Sequence, residues 1–468
     1  MQIKITFLGA AHNVTGSKYL LEANNKRLLI DCGLFQERQF RARNWEPFVV
    51  PPASIDALLL THAHLDHCGY IPKLAREGFH GPVYCTAATA EIGRITLLDT
   101  AGIQEEDAAF KKKRHEKEGR QVPYPEIPLY TIDDAKASFP LLSPVRYGDV
   151  VKLGEGLETT FHDAGHVLGS SMIRLKIKQN NEERVLVFSG DVGRHGKPIL
   201  REPTTFEEAD YVVVESTYGD RLLEPLDKTG EQFADVINNT VQLGGNIVIP
   251  SFALERTQEV MYYLNHLQGE KKIPNLIVFI DSPMAISLTE VFKHHPELFD
   301  KDMTELLLRG KSPFDCPCMH LTRTVDESKA INNIKGSVII ISGSGMATGG
   351  RIKHHLVNNI SRPDSTILFV GYQAADTLGR QIVDGAKEVR ILGQMYPVQA
   401  KIVYANSFSG HSDRDGLLQW LSGFKRAPKH LFVTHGEAAS AENFATLVRD
   451  KKGWAVTVPE YKDSVVLD

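Results

Sequence analysis

The sequence predicts an α/β protein in which a domain built on a parallel sheet interrupts a strand-rich one. Three observations carry this expectation. Residues 1–216 hold short apolar runs, RLLIDCG, DALLLTH, ERVLVFSGD and YVVVEST, each ending in a polar residue where a strand would leave its sheet. Residues 217–399 alternate apolar runs with helical ones: NIVIPS before ALERTQEVMYYLNHL, LIVFIDS before PMAISLTEVFKHH, SVIIISGSG before GGRIKHHLVNNI, and TILFVGYQ before LGRQIVDG. Such alternation builds a parallel sheet covered by helices, with its binding crevice at the carboxyl ends of the strands. Residues 400–468 then return, in KIVYANSFSGHSD and HLFVTHGE, to strands ending in histidine, so they are expected to complete the first domain.

Taken in order, QIKITFLGA opens with Ile3, Ile5 and Phe7 alternating as in a strand and not as in a secretory leader. Val260, Leu264 and Leu267 keep helical spacing in the first helix of the insertion. The chain has 468 residues, 42% of them hydrophobic, enough for two cored domains. No apolar run approaches the ~20 residues of a membrane span, so no membrane partner is expected. Five scattered cysteines form no disulfide framework, which points to a reducing, cytoplasmic setting. A net charge of −5 excludes a uniformly basic nucleic-acid wrapper while leaving room for a local positive site.

THAHLDHCGY, residues 61–70, places His62, His64, Asp66 and His67 within six positions. A strand can present His62 and His64 on one face, and the following turn can aim Asp66 and His67 elsewhere. Four ligands exceed what one catalytic zinc takes from a single segment, so two metals are expected. His166 in DAGHVLGSS, Asp191 in FSGDVGR and His435 in VTHGE each follow an apolar run and supply the missing donors. The expected division gives His62, His64 and His166 to one ion and Asp66, His67 and His435 to the other, with Asp191 bridging. Two ions ~3.5 to 4 Å apart hold a hydroxide and clamp a phosphoryl oxygen, and the centre's net positive charge suits a phosphodiester. The expected cofactors are two Zn2+ per chain, with Mn2+ a substitute.

These motifs resemble the metallo-β-lactamase superfamily. VESTYGDR, the inserted α/β segment, SFSGHSD and THGE are further similar to its β-CASP branch of nucleases, the branch of the endonuclease subunit of the cleavage and polyadenylation specificity factor and its prokaryotic relatives. The resemblance spans essentially the whole chain and implies a metallo-β-lactamase αββα sandwich with an inserted β-CASP domain. It also implies roles: Glu215, His411 and His435 at the branch's three motifs, and Asp31 behind the metal ligands. Asp66, His411 and Glu215 form the expected catalytic set, with His411 as the acid that protonates the leaving sugar oxygen and Glu215 as its orienting partner. A histidine at position 435 implies RNA and not DNA as substrate. The expected activity is therefore a zinc-dependent ribonuclease, an endonuclease with or without 5′–3′ exonuclease action, that cuts single-stranded RNA entering between the two domains. A catalytically silent scaffold for RNA processing and a thioester or lactone hydrolase are the alternatives. A homodimer or RNA-processing partners are compatible with the sequence.

Weaker signals concern substrate contacts. SGSGMATGGR offers Ser344, Gly345 and Arg351 for backbone recognition of phosphate, and Arg256 and Arg380 have the fork geometry for bidentate contact. In GYQAADTLGR, Ala375 and Asp376 depart from the family pattern. KKKRHEKEGR, residues 111–120, reads first as a solvated helical face, and Cys316 and Cys318 are left outside the site.

Overall fold

A computed structural model describes residues 2–118, 126–374 and 376–468. Ala375 and the end of the 111–120 charge run lie outside the described residues. The chain divides into two compact units, one of residues 1–195, 202–222 and 411–468, the other of 196–201 and 223–410.

The first unit pairs two seven-stranded sheets. One runs in the spatial order Ser464–Leu467, Ile3–Phe7, Tyr19–Ala23, Lys26–Ile30, Ala57–Leu59, Val83–Thr86, Leu142–Val145, antiparallel at its start and parallel from Lys26–Ile30 onward. The other runs Val456–Thr457, His430–Thr434, Tyr211–Glu215, Glu182–Phe188, Ser171–Gln179, Leu157–Asp163, Val151–Gly154. Their facing side chains, Ile5, Phe7, Leu21 and Ile30 from one sheet and Phe161, Ile173, Leu186 and Phe432 from the other, share one buried core. That interdigitation removes several hundred Å² of apolar surface from water and fixes the register, because a one-residue slip would turn each set to the wrong side. Helices Arg414–Leu421 and Ala438–Lys452 bury Leu417, Trp420, Phe444 and Val448 on the outer face of the second sheet. Helices Ile71–Arg76, Ala87–Glu118 and Ile132–Ser138 accompany the first. The result is the αββα layering that the resemblance implied.

The second unit is a six-stranded, fully parallel sheet ordered Met319–Leu321, Ile277–Ile280, Val338–Ser342, Ile247–Pro250, Thr366–Phe369, Lys401–Tyr404. Ile247–Pro250 and Val338–Ser342 are buried at every position, as expected of parallel strands covered on both faces. Val260, Leu264 and Leu267 are buried in helix Arg256–Gly269 as their spacing predicts. Lys401–Tyr404, which the sequence assigned to the final part of the first domain, instead pairs with Thr366–Phe369 and closes an edge of this sheet. Its hydrogen bonds, and not the polar motif that follows it, decide its membership. The return to the first unit comes at His411.

Candidate metal centre

Every expected metal ligand lies in the first unit, just past a strand's carboxyl end. Ala57–Leu59 leads to Thr61, Leu157–Asp163 to His166, Glu182–Phe188 to Asp191, and His430–Thr434 to His435. One local expectation is corrected. The strand stops at Leu59, so His62 and His64 stand in the connection to the short helix Leu65–Cys68, with His64 at its N-cap. Their rings converge all the same, His62 Nε2 lying 3.0 Å from His64 Nδ1.

The donor atoms fall into two groups that meet at one carboxylate. His166 Nε2 approaches His64 Nδ1 at 3.3 Å, and Asp191 Oδ2 lies 3.5 Å from His62 Nε2 and 3.4 Å from His166 Nε2. On the other side, His67 Nε2 and His435 Nε2 are 2.9 Å apart, and Asp66 Oδ2 lies 3.5 Å from His435. Asp191 Oδ1 is 3.3 Å from His67 Nε2 and 3.6 Å from His435 Nε2. Two carboxylate oxygens therefore face two histidine groups.

The chemistry of this donor set fits divalent metal. Asp31 Oδ2 accepts a hydrogen bond from His67 Nδ1 at 2.7 Å, which leaves the lone pair on Nε2 directed at the group. Burial holds His64 down to about 4, so its imidazole is neutral and able to ligate at physiological pH. Asp191 Oδ1 is buried without a hydrogen-bond partner among the described residues. An acceptor left in that condition costs stability unless a cation satisfies it.

Residues beyond the ligands set their aim. Asp31 takes the left-handed conformation, with φ of 57°, and accepts from Thr61 N at 2.8 Å and Thr61 Oγ1 at 2.9 Å. His435 is also left-handed, with φ of 50°, and its N–H donates to Ala10 O at 2.7 Å. Such strain in non-glycine residues concentrates at functional sites. Gly33 is required by space: a Cβ there would sit 1.5 Å from the carbonyl oxygen of Asp66. Thr61, Ser17 and Thr217 were missed by the sequence reading. Thr61 touches Asp31, His62 and His67, Ser17 approaches Asp31 at 3.5 Å, and Thr217 Oγ1 lies 3.2 Å from His435 Nδ1. Only the position of Thr61 beside the histidine motif could have signalled it.

Glu215 and His411 stand beside Asp191. Glu215 Oε1 accepts from Val192 N at 2.8 Å and lies 3.1 Å from His411 Nδ1, while Oε2 accepts from Thr217 N at 3.1 Å. Glu215 is thus engaged in orienting neighbours. Burial disfavours the His411 imidazolium, but the Glu215 and Asp191 carboxylates outweigh it and raise its pKa to about 9. Part of this ring remains exposed.

The expected substrate contacts lie apart in sequence, all in the second unit. Arg256 is buried, with its Nη1 ion-paired to Glu259 in the helix it begins, and this burial keeps it from being carried further as a phosphate contact. Arg351 Nη1 donates to Asp281 Oδ1 at 2.7 Å and its Nη2 to Arg323 O at 2.7 Å. Arg380 is exposed beside Asp384. Ser344 Oγ accepts from Thr348 N at 3.1 Å, and Gly345 O accepts from the Gln373 amide at 2.9 Å. Cys316 and Cys318 are joined to each other.

Comparison with known proteins agrees with this architecture. Family models match as a metallo-beta-lactamase superfamily domain over residues 20–197, a Beta-Casp domain over 257–382 and a Zn-dependent metallo-hydrolase RNA specificity domain over 395–459. A protein named a ribonuclease in Thermus thermophilus is 38% identical over 435 residues, 93% of this chain and 93% of that one. A transcription termination factor of Methanocaldococcus jannaschii is 33% identical over 460 residues, 96% of this chain and 69% of the factor. A crystal structure of a protein of unknown function from Enterococcus faecalis V583 covers 100% of both chains at 12% identity with a TM-score of 0.53, a likeness of fold alone. The two-sheet unit with its histidine and aspartate cluster, the parallel-sheet insertion and 33 to 38% identity to such relatives over 93 to 96% of this chain place it in the β-CASP branch of the metallo-β-lactamase superfamily.

Proposed function

We propose that the chain is a dizinc ribonuclease that hydrolyses single-stranded RNA endonucleolytically. The observation that carries this reading is the Asp191 carboxylate, whose two oxygens face separate histidine groups. The named ribonuclease, 38% identical over nearly all of both chains, supports the substrate class. His62, His64 and His166 would hold one ion, Asp66, His67 and His435 the other, and Asp191 both. Bound there, the ions supply Lewis acidity for activating water and for neutralising charge on a phosphodiester.

The remaining work belongs to the protein's own groups. Asp31, itself held by Thr61 N, keeps His67 in one tautomer, and the His435 backbone is tied to Ala10 O. His411, oriented through Nδ1 by Glu215, presents its other nitrogen as the donor that protonates the departing ribose oxygen. Arg351, Arg380 and the Ser344–Gly345 loop are proposed to contact the RNA backbone.

The test is a purified, metal-analysed protein incubated with end-labelled RNA, the same sequence closed into a hairpin stem, and a thioester, each with and without chelator. Internal cuts in the unpaired RNA that disappear with chelator support the reading. Thioester turnover without RNA cleavage, or equal cutting of stem and single strand, would overturn it. Asp191→Ala should lower metal content at both positions, and two ions retained in that variant would remove Asp191 as the bridge.

A further inference from the structure

The helix Ala87–Glu118 is 32 residues long, yet Ala101 is its last buried residue. Gln104 and Glu105 still accept from Leu129 N and Ile132 N, at 3.0 and 2.9 Å, and beyond them the helix runs with little support. From Phe110 to its end at Glu118 it carries Lys111, Lys112, Lys113, Arg114 and Lys117 against the carboxylates of Glu116 and Glu118. Arg114 pairs with Glu118 and His115 with Glu126. Among the described residues, Lys111, Lys112, Lys113 and Lys117 have no carboxylate within 4.0 Å, and residues 119–125 contain none in the sequence. Phe110 is 67% exposed.

Helical spacing puts Phe110, Lys113, Arg114 and Lys117 on one face. A helix without a buried face persists through its own charge pairs or through a partner, and among the described residues of this end Arg114–Glu118 is the i,i+4 pair in contact. Favourable charges at a helix C-terminus account for the last turn, Lys117 included. They do not account for Lys111 to Lys113 further back, nor for an aromatic ring left in water. A cationic helical face with an exposed ring matches what single-stranded nucleic acid needs, phosphate neutralisation together with a stacking platform.

We propose that the face formed by Phe110, Lys113, Arg114 and Lys117, with Lys111 and Lys112 beside it, is an accessory arm that binds the phosphodiester backbone of single-stranded RNA, Phe110 stacking on a base. The proposal rests on the ribonuclease reading for its choice of polyanion. The arm is a second site on the same molecule. Near the start of its helix, Thr89 Oγ1 donates to Gly169 O at 2.8 Å, in the turn that carries His166. Phe110 lies 21 residues farther on, ~30 Å along the helix at ~1.5 Å per residue. An RNA must be long enough to bridge that separation before it can occupy both sites.

The experiment compares the wild-type chain with Phe110→Ala and with the triple variant Lys112→Gln, Lys113→Gln, Lys117→Gln, on a tetranucleotide and on an unstructured RNA of ~30 nucleotides. The triple variant is expected to raise KM for the long RNA by ~10- to 100-fold at low salt and to reduce the salt slope by ~2, with kcat unchanged. Phe110→Ala is expected to weaken binding at least ~5-fold. Arginine at the three lysine positions should restore KM, and tetranucleotide cleavage should not change. An unaltered KM for the long RNA, or an equal loss on the tetranucleotide, would overturn the arm. So would variants that lose binding to anionic lipid vesicles and keep RNA affinity. Binding of the labelled long RNA, read by fluorescence anisotropy, separates the two readings: arm-dependent binding without cleavage sinks the ribonuclease and keeps the arm, while cleavage with arm-independent binding does the reverse.

Discussion

Asp31 touches no proposed substrate, yet its carboxylate decides which His67 nitrogen faces the metal group. Asp31→Ala is therefore expected to weaken metal binding by ~10- to 100-fold, measured by competition with a chromophoric chelator. Unchanged affinity would show that the ring is held by packing alone. His411 tests another role. His411→Ala should retain metal and lose ~10²- to 10⁴-fold in RNA cleavage, the range for a lost general acid. Glu215→Gln is the milder probe, since the amide oxygen can still accept from Val192 N while the negative charge that favours the imidazolium is gone. Emptying of a metal position in His411→Ala would overturn its separation from the ligands. The seven candidate ligands, which the structure brings together, could be picked out in the sequence because each stands in a short motif after an apolar run. Thr61, Ser17, Thr217 and Gly33 were not, because their roles exist only once the fold brings Asp31, His435 and the Asp66 carbonyl against them.

At the scale of elements, strand ends organise both units, but what a motif suggests about an element yields to its hydrogen bonds. KIVY precedes a histidine motif of the first unit and pairs in the second. THAH looks like an alternating strand and is the approach to a helix. The apolar runs of the parallel sheet were easy to read because strands buried on both faces must be apolar throughout. Asp281, at the end of Ile277–Ile280, was read only as a strand end. In the structure it joins three elements: it bonds His355 Nε2 at 2.6 Å, Arg351 Nη1 at 2.7 Å and Ser328 Oγ at 2.5 Å. Burial disfavours its charge, but His355, Ser328 and Arg351 outweigh that and lower its pKa below 3.8. A depressed carboxyl pKa contributes stability above its ordinary value and loses it as pH falls through the folded value. Asp281→Asn strips a buried cluster of its anion, a change that costs about 3 to 5 kcal/mol. Thermal unfolding at pH 7 should therefore show a clear drop, and the gap from wild type should narrow as pH falls toward 3. A gap that stays constant with pH would mean that the cluster acts through shape and not through charge.

For the molecule as a whole, the sequence told most where chemistry and topology coincide. An interrupted domain was legible because histidine-ended strands occur before and after a run of strand–helix alternation, while the exchange of residues 196–201 into the second unit was not, since nothing in GKPILR distinguishes it from its neighbours. The division has an energetic consequence. All the candidate metal ligands belong to the first unit, and a ligand that binds only the folded form stabilises what it binds, by about 4 kcal/mol at a thousand times its dissociation constant. Removing metal should therefore deprotect backbone amides around residues 61–68, 164–170, 189–193 and 434–436 in hydrogen exchange, because these turns bring the donors together and lose the cation that offsets their crowding. The buried strand Val338–Ser342 belongs to the other unit's core and has no donor in the cluster. Its exchange should stay the same with and without chelator. Equal deprotection of Val338–Ser342 would show that the two units open together, and that the metal stabilises the molecule as one cooperative body instead of one of its parts.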